Sequence, residues 1–186
     1  FKTKNKVKKK EDLNTRVTLD ALHNDKIKDF NQQNAGLKKM EMELVILNKK
    51  MDNIRVYREW APKIAESAFI DPSAQIIGRT VIGVDSSIWP LVSVRGDVHY
   101  IEIGERSNIQ DNSSLHVTQP NKIAPDGYPL IIGDEVTVGH SCTLHACTIG
   151  NRCLIGMGST ILDGAVLEDE VFLAAGSLVS PGKKLE

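Results

Sequence analysis

Three histidines lie close together, in the runs Ser114-Leu115-His116-Val117, Val138-Gly139-His140-Ser141 and Thr143-Leu144-His145-Ala146-Cys147. Imidazoles at neutral pH carry protons or bind metal ions. A lone histidine on a strand is more often a surface or hydrogen-bonded residue than a ligand, so the spacing of these three decides what they can do. Upstream lie Arg95-Gly96-Asp97 and the pair Gln110-Asp111, a planar cation, two carboxylates and an amide. Cys142, Cys147 and Cys153 are interleaved with the histidines and offer sulfur donors. His23 and His99 have no evident partner.

The elements that carry these residues follow from a repeat. An aliphatic residue recurs every sixth position at Ile64, Ile70, Ile76, Ile82, Ile88 and Val94, then, after a shift, at Ile103, Ile109 and Leu115. The segment QPNKIAPDGYP, residues 119–129, interrupts it. It returns at Ile132, Val138 and Leu144, drops one residue, and continues at Ile149, Ile155, Ile161, Leu167, Leu173 and Val179. A hexapeptide period with β-branched residues indicates a parallel β-helix, not an α-helix of period 3.6. The expected fold is therefore all-β, a left-handed parallel β-helix in which three six-residue rungs close each triangular coil. Small residues such as Gly78, Gly83, Gly104, Gly133, Gly139, Gly150, Gly156, Ala165 and Ser177 are expected near its corners.

This register places the chemistry. Leu115 and Leu144 each open the third rung of successive coils, with residues 119–129 bulging as a loop between them. His116 and His145 each follow the inward aliphatic by one position, so they stack on one face, one coil or about 5 Å apart. That suits two ligands of one metal ion. Five residues separate His140 from His145 around a corner, a path of up to about 16 Å, so the third ring converges only if it comes from a neighbouring copy. A head-to-tail contact of that kind closes as a ring, most simply a trimer. Three neutral imidazoles would leave a fourth position open, the pattern of a catalytic zinc centre. Arg95 falls in the column of His116 and His145, and Gln110 and Asp111 lie one coil before His140. Brought together by neighbouring subunits, Arg95 and Asp111 could pair across the joint, which by itself would only hold an oligomer together. Gln110 could position a substrate, and Asp97 could fix Arg95 or a ligand. The cysteines fall where small residues pack and read as core thiols.

The first 53 residues differ. They hold 13 Lys/Arg against 8 Asp/Glu, whereas residues 54–186 hold 10 against 16. Residues 1–12 are Lys-rich and read as disordered. Leu37, Met40, Leu44, Leu47, Met51 and Ile54 alternate three and four apart, an amphipathic helix with a short coiled-coil-like seam. The basic start lacks the aromatic or Gly-rich pattern of nucleic-acid recognition and reads as a solvated tail. No apolar run reaches the ~18 residues of a membrane span. Three cysteines without framework spacing and no secretory signal point to a reducing, cytoplasmic setting. The chain starts at Phe1, not Met, and stops at Glu186 with no helix after the last repeat, which reads as a fragment or a processed chain.

Residues 54–186 resemble the γ-class carbonic anhydrase family, and its short bacterial branch above all. The motifs are Trp89-Pro90-Leu91, VRGDVHYIEIG, SNIQDNSSLHV, DEVTVGHSCTLHACTIGN and LIGMGSTILDGA. The resemblance implies a homotrimer with a metal ion at each subunit interface, zinc or, under anaerobic conditions, iron(II). It implies His116 and His145 from one chain and His140 from the next as ligands, Arg95 and Asp97 as an interface and site pair, and Gln110 and Asp111 as the site-lining pair. The implied reaction is reversible hydration of CO2 to bicarbonate by attack of a metal-bound hydroxide. Three departures stand out. Val98 occupies the place of a glutamate after the Arg-Gly-Asp run. The loop at 119–129 offers only Asp126 where the fully active archetype has a proton-shuttle glutamate. The family's C-terminal helix along the prism has no counterpart before Glu186. Two other readings stay open: a metal-binding scaffold or small-ligand binder with little hydration activity, and a CoA-dependent acyltransferase using one histidine as base. The last explains one histidine but not three.

Overall fold

The computed structural model describes Leu22, residues 24–40 and residues 53–186. The chain divides into two compact units, residues 1–48 and 49–186. In the first, residues 24–40 form one α-helix whose side chains are exposed apart from partly covered Asn34. Leu37 and Met40 of the expected seam lie on it; Leu44, Leu47 and Met51, and the Lys-rich start, lie outside the described residues. Ile54 is not helical. It sits in a two-residue strand paired in parallel with Ile76, because the hexad pattern, not the helical one, gives its side chain an apolar partner.

The second unit is the expected parallel β-helix of short strands. One face stacks residues 75–78, 93–96, 114–116, 143–145, 160–161 and 178–179, each paired in parallel with the next. A second face stacks 80–82, 101–103, 130–132, 148–149, 166–167 and 184–185. The third stacks 69–70, 87–88, 108–109, 137–138, 154–155 and 172–173. Two strands are long, Gln75–Ile82 and Ser93–Ile103, and run from the first face into the second without a turn. The nine-residue step from Val94 to Ile103 in the sequence is this continuous bend.

The inward aliphatics form the core. Ile76, Ile88, Val94, Ile109, Leu115, Val138, Leu144 and Ile161 are all fully buried. Each buried aliphatic of this size stabilises by about 1.5–3 kcal/mol. Cys142, Cys147 and Cys153 are buried free thiols in this core. Cys142 hydrogen-bonds the Gly156 carbonyl at 3.3 Å, much as the Ser113 hydroxyl bonds the Gly139 carbonyl at 3.2 Å one coil earlier.

The corners differ from expectation in one respect. Several left-handed turn positions are not glycine: Asp85, Arg106, Glu135, Arg152 and Glu170 all have φ between 52° and 66°. Gly83, Gly104, Gly133 and Gly150 stand just before these turns and have no such φ. They are glycine because the coils approach too closely there: a Cβ on Gly104 would lie 2.6 Å from the Gly133 carbonyl.

Candidate metal centre

The register puts His116 opposite His145 on adjacent coils of the first face. Val94 pairs with Leu115, so Arg95 follows in the same column. His116 Nδ1 lies 3.1 Å from His145 Nε2, and the two rings are 5.1 Å apart and tilted by 57°. Each ring is held from outside by a carboxylate. His116 Nε2 lies 2.9 Å from Asp97 Oδ1, and His145 Nδ1 lies 2.6 Å from Asp163 Oδ1. An ionised carboxylate only accepts, so those two nitrogens carry the protons. When both rings are neutral, the facing nitrogens, His116 Nδ1 and His145 Nε2, are then both lone pairs.

Two lone pairs at 3.1 Å repel unless a cation stands with them. Tetrahedral nitrogen ligands at zinc distances of ~2.0–2.1 Å lie about 3.3–3.4 Å apart, so the pair fits two corners of such a site. Carboxylate–histidine pairs of this kind fix the tautomer of a metal ligand and raise its basicity. Among the described residues, no group of three or more His, Cys, Asp or Glu side chains within the chain could hold a metal ion. Within one chain His116 and His145 bring two ring nitrogens together, enough for two corners of a tri-histidine centre.

His140 is in the turn after Thr137–Val138, beside Ser141 with φ 58°. Its Nδ1 lies 3.0 Å from Asp111 Oδ2, and its side chain is 51% exposed. With Asp111 ionised, Nδ1 donates in that bond and Nε2 is the nitrogen turned away from it. The third histidine is therefore prepared in the same way as the other two, on a different edge of the prism. Gln110 precedes this pair, fixed by its backbone N–H to the Val138 carbonyl at 2.9 Å; its amide side chain makes no hydrogen bond among the described residues. Arg95 bonds Asp97 Oδ2 within the chain. The Arg95–Asp111 pairing read from the register is not made within one chain, where Arg95 holds Asp97 and Asp111 holds His140.

The electrostatics follow from burial and these bonds. Burial works to raise the Asp97 carboxyl, but hydrogen bonds from His116 and Arg95 and the Arg95 charge outweigh it and hold Asp97 below its ordinary range. Burial pushes His116 down; the Asp97 bond opposes that and the Arg95 charge adds to it. Burial also opposes ionisation of Asp163, yet bonds from Thr118 and His145 hold its carboxyl low. Burial and these bonds therefore favour a neutral His116 beside ionised Asp97 and Asp163.

Sequence reasoning missed two residues. Asp163, in the run Leu162-Asp163-Gly164-Ala165, received no role, although the residue dropped between Leu144 and Ile149 but kept between Ile161 and Leu167 marked an irregular corner. His99 does have partners: its Nδ1 accepts the Tyr100 N–H at 2.9 Å and its Nε2 lies 3.1 Å from the Asp126 carbonyl. Val98, at the glutamate position, packs partly buried against the core.

Comparison with known proteins agrees with this architecture. A model described as bacterial transferase hexapeptide (six repeats) matches residues 146–181. Protein YrdA of Escherichia coli (strain K12) is 56% identical over 135 residues, 73% of each chain. Gamma carbonic anhydrase 1, mitochondrial, of Arabidopsis thaliana is 46% identical over 125 residues, 67% of this chain and 45% of that one. The crystal structure of a hexapeptide transferase family protein from Anaplasma phagocytophilum superimposes with a TM-score of 0.64 at 45% identity, covering 70% of this chain and 73% of that one.

Proposed function

Because the chain belongs to the γ-class carbonic anhydrase-like family of hexapeptide-repeat proteins, we propose that it is a metal-dependent lyase that reversibly hydrates CO2 to bicarbonate at the interfaces of a homotrimer. The observation that carries this is the set of three histidines, each with one ring nitrogen bonded to a carboxylate and the other away from it.

His116 and His145 of one copy and His140 of the next would hold zinc, with iron(II) as the alternative metal. When bound, the metal supplies the Lewis acidity that makes a water molecule nucleophilic near neutral pH. Asp97 and Asp163 keep the ligand nitrogens bare by accepting the protons on the opposite side of each ring. The Gln110 amide offers a donor and an acceptor to orient CO2 or hold bicarbonate. Asp111 uses one oxygen on His140 and has the other for Arg95 of a neighbouring copy, so that joining the faces would both close the trimer and complete the site. Asp126 supplies the carboxylate of the loop, and without a glutamate at Val98 the proton leaving the site must reach buffer more directly, which slows turnover. Among the described residues no helix is long and apolar enough to cross a membrane, and the three buried free thiols suit the cytoplasm.

A second reading is a metal-binding hexapeptide scaffold or small-ligand binder with little hydration activity, favoured by Val98 and the loop; the resemblance to a hexapeptide transferase family protein keeps a CoA-dependent acyltransferase as the third. Metal content, oligomeric mass and stopped-flow CO2 hydration on the purified protein, with His140→Ala beside it, separate them. About one metal ion per chain in a trimer, lost with activity in the variant, supports the lyase. Metal without hydration above buffer moves the assignment to the scaffold, and absence of metal overturns both.

A further inference from the structure

The corner after His145 is irregular in a way that serves the site. Leu144 and Ile149 are five residues apart, while Ile161 and Leu167, one coil on, are six apart. Leu144 pairs with Ile161, and the Gly164 N–H bonds the Ala146 carbonyl at 2.7 Å. Two residues, Leu162 and Asp163, therefore stand against the single residue His145, and Asp163 has no equivalent in the coil before. Its carboxylate does not cap a turn, as Asp134 and Asp169 do by accepting backbone N–H groups of Glu105 and Asn151. Its two oxygens accept instead from two side chains, His145 Nδ1 at 2.6 Å and the Thr118 hydroxyl at 2.5 Å.

Thr118 opens the loop at 119–129. Its backbone is clamped to Tyr128 at the other end of that loop by a reciprocal pair of hydrogen bonds, 3.0 and 2.9 Å. The Tyr128 ring in turn covers Gly164: a Cβ built there would meet the ring at 3.4 Å. Asp163 and Gly164 are thus gripped by both ends of the loop, through the Thr118 hydroxyl and the Tyr128 ring. The orientation of His145 is passed through Asp163 to the loop's base.

We infer that Asp163, seated by Thr118, is the positioning residue for His145, holding its Nε2 toward His116 and tying the stem of the 119–129 loop to the ligand set. The inference rests on the metal-centre reading for its purpose, but its geometry is internal to one chain. Carboxylate partners of ligand histidines typically change metal affinity by about 10–100-fold when removed. Thr118 acts one step further out and its removal costs less.

The test uses the full chain with Asp163→Ala, Asp163→Asn, Thr118→Val and Thr118→Ser. Zinc affinity is read by competition with a chromophoric chelator, and the tautomer of His145 by long-range proton–nitrogen NMR on the zinc-stripped protein, with circular dichroism to confirm the fold. Expected are a His145 protonated on Nδ1 in the wild type and a mixture of tautomers in Asp163→Ala. Zinc affinity should fall about 10–100-fold in Asp163→Ala and several-fold in Thr118→Val, with Thr118→Ser restoring it. A folded Asp163→Ala that binds zinc within twofold of wild type, or a wild-type His145 protonated on Nε2, overturns the inference. A wild-type chain that binds no zinc sinks the metal-centre reading, and the tautomer then decides the positioning claim alone.

Discussion

Leu144→Ala tests whether the core that carries the site is as rigid as its ladders imply. The Leu144 side chain is 0% exposed and stacks between Leu115 and Ile161. Leu→Ala in a core costs about 2–5 kcal/mol, the spread reflecting how far the cavity collapses. Collapse is opposed here on both sides. Ser114 N–H bonds the Cys142 carbonyl at 2.8 Å and Thr143 N–H bonds the Ser159 carbonyl at 2.9 Å, so the coils cannot close the ~4.8 Å between them. The loss should therefore sit in the upper half of the range, about 3–5 kcal/mol. Urea unfolding at one fixed chain concentration reads it as a lower midpoint with unchanged slope, the fixed concentration guarding against linked assembly. Ile123→Ala, at a loop side chain 93% exposed, should stay within about 0.5 kcal/mol. Because His145 follows Leu144 directly, the zinc affinity of the proposed centre should fall as well. A loss below about 1.5 kcal/mol for Leu144→Ala would refute the argument, since it would mean that the prism relaxes into the gap.

The three cysteines should be silent toward a thiol reagent in native protein at pH 8 and react together on unfolding; burial pushes the Cys147 thiol up to about 12, and Cys142 and Cys153 upward for the same reason. Gly104→Ala should destabilise far more than Gly158→Ala, measured by thermal melting. The former drives a Cβ into the Gly133 carbonyl and Asp134, whereas the latter adds only left-handed strain at φ 72° with open space around it, about 1–2 kcal/mol. Asp169 is held below its ordinary range by hydrogen bonds from the Asn151 backbone and side chain. A depressed carboxyl contributes stability that is present above its unfolded value and lost as pH falls through the lower folded one. Asp169→Ala should accordingly flatten the acid limb of the stability profile and leave a smaller difference from wild type at low pH than at neutrality.

The hexad period determined, without any coordinates, which aliphatics point inward, and therefore that His116 and His145 share a column despite the loop between them. Period arithmetic suffices there because a strand one residue out of register would turn its whole apolar set outward. It also placed His140 on another edge, and the small residues among which the cysteines pack. What it could not reach were contacts set by side-chain direction and by corners. Asp97 and Asp163 find their histidines across coils, 19 and 18 residues away, and which of several nearby carboxylates meets which ring depends on rotamers and on one residue gained at a corner. His99 was opaque because its partner is a backbone carbonyl, Asp126, 27 residues on. The glycines before the turns were expected at the corners from the sequence; the stacked backbones, 2.6 Å from where the Gly104 Cβ would stand, show how little room each one has. Composition and period carry the information that repeats, and tertiary structure alone decides what happens at the positions where the repeat is broken.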